Sequence, residues 1–129
     1  MAITEDYISF ETAKLLKEKG FDEPVERFFN ADGLPCRGES AYNWNDCADV
    51  GEEAKDYSRP SLQMAMKWLR EEKHIPIEIL WHYDSNSDVE EWCFVHHAEL
   101  RILPNDIEYY ETYEQACEQA IKYCLENLI

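Results

Sequence analysis

Positive charge is what this sequence has least of. Its 129 residues carry 12 Lys and Arg against 28 Asp and Glu, a formal net charge of -16 and a pI near 4.5. Binding to DNA, RNA or an anionic membrane rests on Lys and Arg that displace counterions from a phosphate array. The few bases here do not cluster: from His74 to the end only Arg101 and Lys122 are basic. Direct nucleic-acid or membrane binding is therefore not expected.

Glycine is almost as scarce, with four in the chain. No G-x-S-x-G elbow, no phosphate-cradling glycine loop and no H-E-x-x-H pair occurs, so neither a catalytic residue nor a cofactor site is assigned. Cys36, Cys47, Cys93, Cys117 and Cys124 form an odd set without a C-x-x-C pair, which reads as free thiols. No apolar run approaches the ~18 residues that span a bilayer. The opening MAITEDYISF has acids where a signal peptide has bases, so a cytoplasmic protein is expected.

What the chain does have is apolar mass: hydrophobic residues make up 45% of it and aromatic residues 13%. That is too much for a disordered acidic tail, and one domain over 1–129 is expected. Ser9 reads as the N-cap of a first helix that ends at Gly20, with Phe10, Ala13 and Leu16 as its buried stripe and Phe21 folding back on Leu16. Val25 to Phe29 reads as a strand, followed by a turn over Asn30, Asp32 and Gly33. Arg37 to Ser58 shows neither helical nor alternating period and reads as a long loop.

Pro60 between Ser58 and Ser61 opens a second helix, running to about Lys73 with Leu62, Ala65, Met66 and Leu69 on its core face. Met64 and Trp68 fall off that face, so the helix is either covered on two sides, the expected case, or presents an exposed aromatic. Ile75, Ile77, Ile79, Trp81 and Tyr83 alternate on one strand face. The return strand runs from Trp92 to about Ile102, and a turn at Asn86 and Ser87 sets Trp81 opposite Trp92 and Ile79 opposite Phe94. Thr112 and Gln115 form a capping box for a last helix, whose apolar stripe repeats from Tyr113 to Leu128. The expected class is α+β: three helices packed on a small antiparallel sheet containing a C-terminal β-hairpin.

Candidate chemistry is thin. Asp84, Asn86 and Asp88 match the start of an EF-hand loop, but Val89 stands where Gly is needed and Val95 where the bidentate Glu is needed, so the segment reads as a polar turn. His82, His96, His97 and Cys93 do not fall on one strand face, and no metal is assigned. Two acidic stretches stand out instead. Asp46, Asp49, Glu52, Glu53 and Asp56 line the long loop beside Trp44, and Asp84, Asp88, Glu90 and Glu91 crowd the hairpin end. Trp44, Asp46, Asp49, Asp84, Asp88, Glu90 and Glu91 are the expected partner-binding residues. The acids either keep the protein dispersed or imitate a phosphate backbone toward a nucleic-acid-binding protein.

Three blocks, YISFETAKLLKEKGFDEP, YSRPSLQMAMKWLREEKHIPIEI and YETYEQACEQAIKYCLENLI, resemble short uncharacterised proteins encoded in prophages and other mobile elements of anaerobic gut bacteria. The blocks coincide with the predicted helices, so the resemblance is one of scaffold and implies origin without chemistry. It favours an interaction or accessory protein with a protein partner over a metabolic enzyme. The alternative is an acidic mimic that inhibits a host nucleic-acid-binding protein.

Overall fold

The computed structural model describes residues 2–46, 55–96 and 107–129, and the chain divides into two compact units, 1–65 and 66–129. The class is α+β, with three helices among the described residues. The single sheet expected from the sequence is instead two among those residues, of three and two antiparallel strands.

In the first unit, helix α1 spans Phe10–Glu18. Ser9 caps it by accepting the Thr12 N–H at 3.2 Å. Thr12, Ala13 and Leu16 are buried, whereas Phe10 is only half-buried. Its ring instead meets Phe29 and Tyr57 at centroid distances of 5.4 Å each. The helix stops in a Schellman arrangement. Gly20 N–H donates to Lys17 O and Phe21 N–H to Leu16 O, with Gly20 at φ +95°.

Strand β1, Val25–Phe29, turns through Asn30, whose Oδ1 accepts the N–H groups of Asp32 and Leu34 at 3.0 Å each. The chain returns as β2, Pro35–Tyr42, and β3, Tyr57–Ser58, pairs with the other edge of β1. The expected loop from Arg37 to Ser58 is thus strand at both ends. An edge strand explains the miss: β2 leaves every residue exposed or half-exposed, so no buried face imprints a period of two on its sequence.

Helix α2, Leu62–Glu72, runs through the division between the units. Ser61 Oγ accepts the Met64 N–H at 3.1 Å, and Leu62, Ala65, Met66 and Leu69 are buried as read. Trp68 is buried too, while Met64 is exposed, against expectation.

In the second unit, β4, Ile77–Asp84, and β5, Val89–His96, form a hairpin in the expected register, Trp81 opposite Trp92 and Ile79 opposite Phe94. The return strand ends at His96, and its expected continuation lies outside the described residues. The hairpin is not C-terminal, because helix α3, Tyr113–Asn127, follows it and packs on β5 and β4. The helix is the last element since its apolar residues repeat at three and four, and Ala116, Cys117, Ala120, Ile121, Cys124 and Leu125 are buried. Thr112 Oγ1 accepts the Gln115 N–H at 3.1 Å. The Gln115 amide oxygen reaches one residue further than a capping box requires, to the Glu111 N–H.

Two glycines test this architecture. A Cβ at Gly20 would meet nothing within 4 Å, so Gly20→Ala carries only the left-handed backbone penalty, about 1–2 kcal/mol. Gly38 lies under the Trp44 indole, where a methyl would strike Cζ2 and Cη2, and Gly38→Ala should cost about 1–3 kcal/mol by overpacking. Urea unfolding checks both; an unchanged midpoint in either variant contradicts the corresponding argument.

Candidate functional site

A hairpin sorts its side chains by parity, so the pairing of β4 with β5 decides which groups meet. Ile79, Trp81, Tyr83, Glu90, Trp92 and Phe94 share one face. Helix α3 covers part of that face with aromatic contacts: Tyr113 stands edge-on to Trp92 at 5.5 Å, and Tyr123 lies 6.1 Å from Phe94 and 5.3 Å from His96. The Tyr110 backbone extends the sheet by one bridge, exchanging two hydrogen bonds with Trp92 at 2.8 and 2.7 Å.

Toward the turn this cover runs out. Trp81 is 57% exposed and Tyr83 47% exposed. Their rings stack at 5.9 Å and 18°. The Tyr83 hydroxyl donates to Asp88 Oδ1 at 2.5 Å, and that bond, which the phenolate would lose, holds the Tyr83 pKa above its ordinary value. Asp88 takes a left-handed backbone at φ +53°, which a short polar side chain tolerates. Glu90 is the direct cross-strand neighbour of Tyr83. The site is therefore an exposed two-ring platform fringed by carboxylates, suited to a cation that offers both charge and flat apolar surface.

The acids named from the sequence do not all gather there. Asp88, through its bond from Tyr83, and Glu90, by register, stand with the rings, whereas Asp84 and Glu91 belong to the opposite face with His82. The Asn86 N–H, donating at 3.0 Å, together with the Ser87 hydroxyl, holds the Asp84 carboxyl below the usual carboxylate range. Asp84 and Asp88 thus already serve as acceptors within the turn.

At the other predicted surface, Trp44 is half-buried and occupied. Its Nε1–H donates to Val25 O at 2.7 Å, its ring lies 4.1 Å from Phe28 at 22°, and Tyr42 stands edge-on at 5.1 Å. Asn45 next to it ties two segments together, donating to Phe21 O at 2.8 Å and accepting the Ser58 N–H at 2.9 Å. Asp46 is exposed beside this corner, and Asp49 lies outside the described residues.

Sequence reading placed Trp81 and Tyr83 on one strand face with Ile75, Ile77 and Ile79 and did not single them out. One signal could have separated them: along that face the side chains pass from Ile77 and Ile79 to rings with polar atoms as the strand nears its turn.

Among the described residues no three His, Cys, Asp or Glu side chains come together as a metal would require. His82 and Cys93 lie on one hairpin face and His96 on the other, and His97 is outside the described residues. Cys36, Cys93, Cys117 and Cys124 are free thiols. Burial pushes the Cys117 thiol up to about 11 and that of Cys124 up to about 12, so neither is an activated nucleophile. No helix among the described residues is long and apolar enough to cross a membrane.

Comparison with protein-family models, with curated proteins and with solved structures returned no match to this chain.

The thiols give a pH prediction. A folded-state pKa raised above the unfolded value of ~8.5 leaves stability intact below that pH and removes it as pH rises toward 11 and 12. Urea unfolding from pH 7 to 10 should show falling stability, with a shallower slope in Cys124→Ala; identical slopes contradict the assignment. At pH 8, a thiol reagent followed by peptide mapping should label Cys36 in the native protein and Cys117 and Cys124 only after unfolding.

Proposed function

We propose that this protein is a small interaction or accessory protein of mobile-element origin that takes a basic protein segment on the Trp81 and Tyr83 platform of its hairpin. The observation that carries the reading is the exposure of two stacked rings beside Asp88 and Glu90 in a chain of net charge -16. Large exposed aromatics are costly to leave in water and are frequent at protein interfaces, where they supply most of the binding energy. The carboxylates add attraction for Arg and Lys, and a guanidinium laid on an exposed ring contributes about 0.5–1 kcal/mol. Asp46 and the surface acids steer a basic partner over longer range than the rings can reach.

The same charge supports a second reading, in which the protein imitates nucleic acid and occupies the basic groove of a host nucleic-acid-binding factor. The two differ in what the affinity depends on. A mimic loses its partner as ionic strength rises, because screening shortens to ~3 Å at 1 M, while a ring-centred contact persists.

A synthetic peptide with Arg and Lys interspersed with apolar residues, titrated by calorimetry at low and high salt, tests both. Binding that Trp81→Ala abolishes at either salt supports the platform. Binding lost at high salt, lost in Glu90→Gln with Glu91→Gln, and indifferent to Trp81→Ala supports the mimic. Binding insensitive to all of these changes overturns both readings.

A further inference from the structure

The first unit holds a positive site that the excess of acid makes conspicuous. Tyr7 runs alongside the chain entering α2: Ile8 N–H donates to Pro60 O, Leu62 N–H to Asp6 O, and Tyr7 bridges Ser61. The Arg59 N–H in turn donates to Arg27 O at 2.9 Å, which joins this strip to β1. These backbone bonds bring two guanidinium groups to one ring. Arg27 Cζ lies 4.7 Å from the Tyr7 centroid and Arg59 Cζ 4.8 Å, and Arg59 is also 5.2 Å from the Phe29 centroid.

Like charges placed together ordinarily recruit a carboxylate, and this chain has 28 Asp and Glu to offer. Neither guanidinium forms an ion pair or a side-chain hydrogen bond among the described residues. Glu26, the nearest acid on β1, pairs with Arg37 at 3.0 Å instead. Arg59 Nε is buried and donates to no atom. A buried charged donor without an acceptor is costly, so such a group in a native fold calls for an account. Desolvation, and then the repulsion of Arg27, lowers the Arg59 pKa, the signature of a cation lacking its counter-charge.

Both arginines line a cavity of about 330 Å³ with Tyr7, and its wall is apolar at Val25, Pro60 and Met64. That volume is at the small end of ligand pockets. Ser61 and Met64 bring the first turn of α2 to the same cavity, and that turn carries no acidic side chain to offset its partial positive charge. Glu5 and Glu26 also line it and oppose an anion, but both are exposed, Glu26 is paired with Arg37, and the net negative field is screened within ~8 Å at physiological salt.

We infer that the Arg27, Tyr7 and Arg59 cavity binds a small organic oxyanion, its carboxylate or phosphate held by the guanidinium groups and its apolar part against Pro60 and Met64. Guanidinium is the side chain suited to this, since its planar fork pairs with either oxyanion and its face remains stacked on the ring. The site is independent of the hairpin platform.

The test is a titration of the whole protein with benzoate and with phenyl phosphate, followed by ¹⁵N-resolved NMR of the arginine Nε–H groups and the backbone. The expected result is a saturable shift of the Arg59 Nε–H with amide shifts at Tyr7 and Ser61. The stronger of the two probes identifies the oxyanion. Arg59→Gln should weaken that probe by about 10–100-fold, the loss of one charge-assisted hydrogen bond. Arg70→Gln, which removes an exposed cation paired with Glu71 and absent from the cavity lining, should leave it unchanged. Should Arg59→Gln fail to fold, Arg27→Gln carries the same expectation, and the wild-type shifts stand without either. No saturable shift with either probe, shifts away from these residues, or equal weakening by Arg70→Gln overturns the inference.

Discussion

Repulsion among acids is the constraint the rest of the structure works against. A chain with sixteen surplus negative charges must keep its carboxylates hydrated while bringing its apolar residues together. Pairs such as Arg37 with Glu26 and Arg70 with Glu71 lie at the exposed surface, where each is worth well under about 1 kcal/mol. Rings carry the load instead. Phe10 sits between Phe29 and Tyr57, Trp44 lies on Phe28, and Tyr113 and Tyr123 lock α3 to β5, with each such pair adding about 0.5–1.5 kcal/mol beyond its buried area.

The scarce cations fit the same scheme. Lys14 and Lys17 lie over Phe10 and Tyr57, Arg27 and Arg59 over Tyr7, and Lys73 over Trp68. Two places then stand apart: the hairpin end, where stacked rings meet water beside carboxylates, and the Tyr7 cavity, where two guanidinium groups share one ring. The two proposals assign them ligands of opposite charge.

Local chemistry made much of this fold readable. The Schellman stop at Gly20, the caps at Ser9 and Thr112 and the register of β4 with β5 all follow from residues a few positions apart, which is why the sequence alone located them. Strand β2 was not readable, because an exposed edge strand needs no alternation, and β3 is too short to carry a period. The division into two sheets escaped for a related reason: strand partners are chosen by contacts distant in sequence. At the hairpin, the acids were legible as a cluster, but parity splits Asp84 and Glu91 from Glu90. The cavity left no trace at all, since Tyr7, Arg27 and Arg59 are separated by long stretches and meet only through tertiary hydrogen bonds.

Four tryptophans make the platform claim directly measurable. Indole N–H resonances of the ¹⁵N-labelled protein, followed during addition of an Arg- and Lys-bearing peptide, report each ring separately. Trp44 is tied to Val25 and Trp68 is buried, so the account predicts that the Trp81 signal moves and saturates while those two stay in place. Movement of Trp44 or Trp68 with Trp81 unmoved would contradict it.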